Sequence, residues 1–345
     1  MMDELFVCKS SMVTPIGLGT VMTAAVIKAG CSAYKASSYF GCKQQAMTMA
    51  SVPDDALPEL VEALQVTAKL SSRQKRMIQL AAPAFVDVLK DQIHIENIPC
   101  FIAGSEAIPH LSVGMGDLFI DALILQTGLH IDKENSKVFS MGRAGGFHAI
   151  DAAFKFLVET GRPFALVGGV DTYKDPMLLA KLDSESRILS YGAAEGFAPG
   201  EASSFILLTN QKNSDTTTRI FSPGLAAEEG HLYSDNPYRG NGLDTAFKQA
   251  LQCEANANIS KVYSSMNGEH FFAKEYGVAV IRNNHAFSPA FTVEHPADCF
   301  GDIGAAFGPT AIALITQQKP GNYMAYGSSD GAHRAAICVQ QMPHS

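Results

Sequence analysis

The chain has 345 residues, 47% of them hydrophobic and 17% charged, which is enough apolar material for one large domain or two packed lobes. Its formal net charge of −8 comes without any basic run, which argues against a nucleic-acid partner. No window approaches the roughly 18 unbroken apolar residues of a membrane span. The first 30 residues lack the basic start and apolar core of a secretory signal, so a cytoplasmic location is expected. Seven scattered cysteines, with no CxxC pair, read as free thiols rather than a disulfide frame or zinc site. Neither a metal nor a cofactor is expected.

Short β-branched or apolar runs alternate with alanine-rich helical stretches, the pattern of an α/β protein whose strands are covered on both faces. In chain order, a strand at 6–8 precedes helices over 20–29 and 72–90. A strand at 99–103 follows, then helices over 116–127 and 146–160 and strands at 164–170 and 203–209. The polar run Gln-Lys-Asn-Ser-Asp-Thr-Thr-Thr at 211–218 has no apolar residue to anchor it, so the chain is divided into 1–213 and 214–345. Beyond it come a helix over 243–253, a strand at 261–265, helices over 271–282 and 304–316, and strands at 324–326 and 335–339.

A faint internal echo crosses that boundary. Gly-Arg-Ala-Gly-Gly at 142–146 and Gly-Asp-Ile-Gly-Ala at 301–305 each set a glycine turn before a helix of small residues. Small residues permit close backbone approach, so the two helices are expected to pack together with their N-terminal ends facing one pocket.

Three motifs occur in a recognisable order: Met-Val-Thr-Pro-Ile-Gly at 12–17, Ala-Leu-Val-Gly-Gly-Val-Asp at 165–171, and Gly-Phe-Ala-Pro-Gly-Glu at 196–201. Together with Ser-Met-Gly-Arg-Ala-Gly-Gly-Phe-His-Ala-Ile at 140–150, they resemble landmarks of the β-ketoacyl synthases. The resemblance covers most of the chain. It implies a thiolase-like, pseudo-duplicated α/β/α/β/α architecture of five layers, with an abbreviated second half. It also implies a two-fold dimer whose interface includes the strand around 101–104 or the chain just before Arg143.

The same resemblance locates the family's catalytic positions, and each holds a different residue here. Counting back from Ala149 and Ile150 places the nucleophilic cysteine at Arg143, which stays protonated and cannot be acylated. The first histidine position is Asn267, in Met-Asn-Gly-Glu-His at 266–270. The second is Gly301, and Pro296 stands where the family has lysine. The run Gly-Ser-Ser-Asp-Gly-Ala-His at 327–333 resembles the family's glycine-rich loop without its phenylalanine. Oxyanion stabilisation and decarboxylation need aimed donors in a dry pocket, and both histidine donors are missing.

Two roles stand open for Arg143. Near a helix N-terminus it would favour a carboxylate or phosphate ligand. Alternatively it fills the vacated pocket and pairs internally with Glu269 or Asp302. Arg143, Asn267, Glu269, Gly301 and Asp302 are the candidate pocket. Cys299 reads as a packed thiol, His148 as a core histidine with Asp151 as its partner, and His270, Lys274 and Glu275 as a solvated helix start.

Three functional classes follow. The first is a ketosynthase-like subunit without condensing activity that binds an acyl group or a partner, as chain-length-factor subunits do in acyl, fatty-acid or polyketide-type pathways. Its partners would be a second copy or an intact ketosynthase, with an acyl carrier protein or acyl thioester as visitor. The second is an acyltransferase-type enzyme of divergent chemistry using Arg143, Asn267 and Glu269. The third is a purely structural homodimer.

Overall fold

The run at 165–171 has apolar or small residues at nearly every position, so the strand it forms needs cover on both faces. The computed structural model describes residues 4–90, 97–111, 114–116, 118–190, 195–212, 216–253 and 258–343. In it that strand, Phe164–Thr172, is buried at every position but its first. It belongs to a mixed sheet of 12 strands among the described residues, ten of which form two copies of one five-strand topology.

In the first copy the order from the outer edge inward is Lys137–Ser140, Cys100–Gly104, Phe164–Thr172, Glu201–Thr209 and Glu4–Thr14. The first three run parallel, and each of the last two is antiparallel to its predecessor. In the second copy Phe287–Glu294, Ile259–Ser264, Gly321–Ser328, His333–Gln341 and Thr218–Phe221 repeat that order and those directions. The copies join where the innermost strands pair antiparallel, with Glu4 opposite Phe221. The glycine echo in the sequence is therefore the trace of a topological repeat. The expected division between residues 213 and 214 lies outside the described residues.

Helices make the other three layers. Ser72–Leu89 lies on the outer face of the first copy, with Leu118–Thr127 packed on it. Its start is fixed by a capping box: Ser71 Oγ accepts the Gln74 amide at 3.2 Å while Gln74 Oε1 accepts the Ser71 amide at 2.8 Å. On the far face, Asn241–Ala250 covers the second copy and His270–Arg282 packs on it. Between the copies lie Gly145–Thr160 and Phe307–Ile315, each touching strands of both. Each follows a single 3₁₀ turn, Gly142–Ala144 or Gly304–Ala306, so the second central helix begins three residues later than the expected 304. The apolar residues divide the same way. Phe147, Ile150, Phe307 and Ile312 belong to the central core, Met77, Phe85 and Phe119 to one outer core, and Leu243 and Phe247 to the other.

The central helices cross glycine on glycine. A Cβ on Gly146 would lie 2.5 Å from Pro309 Cδ, and one on Gly308 would lie 2.9 Å from the Gly146 Cα. Backbone and a proline ring cannot swing aside as a flexible side chain can. Gly146→Val is therefore expected to cost about 3 kcal/mol, the upper end of overpacking, read as a shift of the urea unfolding midpoint. An unchanged midpoint would mean that the helices do not meet there.

The two segments expected at a dimer interface are placed differently in the sheet. Cys100–Gly104 lies inside the sheet, between Lys137–Ser140 and Phe164–Thr172, and so offers no free edge. The outer strand of this copy is Lys137–Ser140, directly before the turn that carries Arg143. Among the described residues no helix is long and apolar enough to cross a membrane, no group of histidine, cysteine and acidic residues is arranged to hold a metal, and all seven cysteines are free thiols.

Candidate functional site

Arg143 sits in the 3₁₀ turn at the head of the first central helix, with only 2% of its surface exposed. A guanidinium so placed requires anionic partners, because the cost of dehydrating it is several kcal/mol. Two elements from the second copy supply them. Asp302 Oδ2 accepts Nε at 2.9 Å and also Nη2, while Asp330 Oδ1 accepts Nη1 at 2.8 Å. The Ser328 carbonyl accepts Nη1 at 3.3 Å, and the Phe272 ring lies 4.8 Å from the guanidinium carbon.

A second buried arginine completes the cluster. Arg187 donates Nε and Nη2 to the two oxygens of Glu269, at 2.7 and 2.9 Å, in the bidentate geometry that suits its planar fork. Its Nη1 and Nη2 reach Asp330 at 2.8 and 3.1 Å, so one carboxylate bridges both guanidiniums. Burial works to raise the Asp330 carboxyl, but Arg187 and then Arg143 overcome it and hold the group below the usual carboxylate range. Tyr233 Oη accepts from Arg187 at 2.8 Å and donates to Glu185 at 3.1 Å, which carries the network toward the surface.

Asn267 locks the remaining corner. Its amide nitrogen donates to Asp302 Oδ2 at 2.8 Å and to Glu269 Oε2 at 2.9 Å, and its carbonyl accepts the Glu269 amide at 3.1 Å. Both donor hydrogens are consumed by carboxylates, which fixes the amide orientation. Asp302 Oδ1 accepts the Gly304 amide at 2.9 Å and so anchors the turn before the second central helix. Gly301 contributes backbone alone. At φ +73° it ends the short helix Ala297–Phe300, and a Cβ there would stand 2.6 Å from the Ala198 carbonyl oxygen.

The cluster fills its own pocket. Among the described residues, cavities of about 10 and 20 Å³ border Arg143, and Gly301 lines the smaller. That is room on the scale of single waters and none for an acyl chain.

Arg143, Asn267, Glu269, Gly301 and Asp302 thus converge as the sequence suggests, with two differences. Glu269 is the partner of Arg187 rather than Arg143, because it heads the helix His270–Arg282 on the Arg187 side. Arg187 and Asp330 were not singled out in the sequence. The available signal was two acids, Glu269 and Asp302, near a single candidate cation, Arg143.

Other candidates are placed elsewhere. Burial first, then nearby acids, pushes the Cys299 thiol up, away from a reactive thiolate. His148 is not partnered by Asp151, which pairs with Lys155 at 2.7 Å. It meets the edge of His333 at 5.3 Å, and burial followed by that neighbour pushes it down to about 4, so it is neutral at physiological pH. His270 and Lys274 do lie on a solvated helix start, but Glu275 is fully buried, paired with Arg334 at 2.6 Å.

No protein-family model and no curated protein matches the chain. Solved structures do. The ketosynthase from module 6 of the bacillaene synthase of Bacillus subtilis 168 matches with a TM-score of 0.78 at 13% identity, over 99% of this chain and 72% of that one. The ketosynthase ApeO in complex with its chain length factor ApeC, from Xenorhabdus doucetiae, matches at 0.75 and 15% identity, over 98% of both chains. The ishigamide ketosynthase/chain length factor matches at 0.75 and 14%, over 99% of this chain and 100% of that one. With its duplicated topology, paired central helices and these likenesses, the chain has the thiolase-like fold of the ketosynthases.

Proposed function

We propose that this protein is a ketosynthase-fold subunit without condensing activity, which acts by pairing with an intact ketosynthase in an acyl-chain-building pathway of fatty-acid or polyketide type. The observation that carries the reading is Arg143. The position where the resemblance places the nucleophile holds a permanent cation, buried and neutralised by Asp302 and Asp330. The divergent-enzyme reading is weaker, because Arg143, Asn267 and Glu269 already spend their hydrogen bonds on one another and on neighbouring carboxylates.

Two of the matched structures are ketosynthase/chain length factor assemblies, which favours a paired subunit. The halves 1–213 and 214–345 serve here as the two lobes of one scaffold, and the exposed strand edge at Lys137–Ser140 is the contact with the partner. An acyl carrier protein would then deliver its thioester to the partner's pocket.

Co-expression with an intact ketosynthase from the same organism, followed by native mass spectrometry, tests the pairing. A 1:1 heterodimer is expected, lost when Val138→Pro removes a ladder donor from the edge strand. A stable homodimer that ignores the ketosynthase would refute it.

A further inference from the structure

Two cysteines that the filled pocket does not use meet on the outer face of the second copy. Cys338 lies in the strand His333–Gln341, opposite Met324, with none of its surface exposed. Cys253 lies in the turn after the helix Asn241–Ala250 and is half-buried. That helix packs on the strand, and Cys253 packs against the apolar cluster that holds Cys338 with Phe221, Leu243 and Phe247. Within this contact the two thiols are hydrogen-bonded to each other.

A core position accepts a cysteine as a small hydrophobe, but two facing sulfurs also share a two-electron chemistry. Unequal exposure divides the roles between them. An oxidant arriving from solvent meets Cys253, because Cys338 presents no surface. The hydrogen bond with Cys253, then burial, pushes the Cys338 thiol well above its usual range, so Cys338 keeps its proton while Cys253 reacts.

We propose that Cys253 and Cys338 form a redox-active dithiol that a peroxide closes to an intramolecular disulfide. The Cys253 thiolate attacks one peroxide oxygen and the O–O bond breaks, which leaves a sulfenic acid and a hydroxide that takes up the proton Cys253 gave up. Cys338 sulfur then attacks the Cys253 sulfur. The S–S bond forms as the S–O bond breaks, and the departing hydroxide leaves with the Cys338 proton as water. Two sulfurs are oxidised, both peroxide oxygens are reduced, and two waters are released. The new bond ties the end of the outer helix layer to the sheet.

Peptide mapping of the folded protein tests this. Wild type is treated with a small excess of hydrogen peroxide, its remaining thiols are blocked with N-ethylmaleimide, and it is digested without reductant for mass spectrometry. A peptide pair joined through Cys253 and Cys338, two hydrogens lighter than its separate halves and split by dithiothreitol, is expected as the main intramolecular link. Cys253→Ser and Cys338→Ser are each expected to lose it, and the wild-type map decides alone if either variant does not fold. Recovery of both thiols blocked while the exposed Cys31 and Cys42 are oxidised would overturn the proposal. So would a main link between Cys31 and Cys299, whose thiols also lie close enough to influence each other.

Discussion

Arg143→Ala is expected to destabilise the protein by about 3–5 kcal/mol, the cost of breaking a buried ion pair from one side. The charge count makes this the damaging side. Asp302, Asp330 and Glu269 face Arg143 and Arg187, so removing Arg143 leaves three buried carboxylates against one guanidinium. Asp330→Asn removes a carboxylate instead and leaves two against two, with the shape nearly kept. Its cost is expected to be about 2 kcal/mol, the scale of charged hydrogen bonds weakened to neutral ones. Urea unfolding of the two variants at neutral pH measures the difference. If Asp330→Asn were the more damaging, the pocket would not be held by net charge as described. With acidification the two should converge, because the stability held by depressed Asp330 is present above the ordinary carboxylate range and is lost as pH falls from there through its lowered folded-state value.

A comparable loss, about 3–5 kcal/mol, is expected for Arg334→Ala. Arg334 and Glu275 are both wholly buried and paired at 2.6 Å, and Arg334 Nη1 also donates to the carbonyls of Ser329, Gly331 and His333. The substitution strands Glu275 and releases the loop that carries Asp330 to the cluster. Burial already pushes Glu275 up, with Arg334 opposing, so without its partner the group is expected to take up a proton on folding. The stability of Arg334→Ala should therefore fall with rising pH more steeply than that of wild type. The double variant Arg334→Met, Glu275→Leu is expected to recover much of the loss, since an apolar pair of similar volume strands no charge. Recovery of nothing would show that the loop carbonyls, and not the ion pair, are what Arg334 serves.

The scaffold was legible where local pattern and burial agree. The expected helices over 72–90 and 146–160 end within one residue of Ser72–Leu89 and Gly145–Thr160, because each has an apolar face at helical spacing and a clear stop. Short, polar or edge elements escaped. Lys35–Phe40 and Ala46–Met49 form a separate two-stranded sheet, and the first of them shows no buried position to mark it as a strand. Phe287–Glu294 contains Pro289, which argues against a central strand and is tolerated here because the strand lies at the sheet edge. Pro176–Ser184 was missed despite an Asp175 cap and a first-turn proline.

At the site, the resemblance pointed to Arg143, Asn267 and Gly301 as neighbours, and the buried charge of Arg143 to an acid beside it. The bridging role of Asp330 was not legible. It depends on Arg143, Arg187 and Asp330 meeting through three separate loops, a long-range contact with no local signature.

The central claim is that a filled ketosynthase pocket cannot condense acyl units. Purified protein, and separately its Arg143→Cys variant, incubated with acyl and malonyl thioesters and followed by mass spectrometry, tests it most directly. No β-ketoacyl product is expected from either, because the variant still lacks the donors replaced by Asn267 and Gly301. A β-ketoacyl product from the wild-type protein alone would contradict the account.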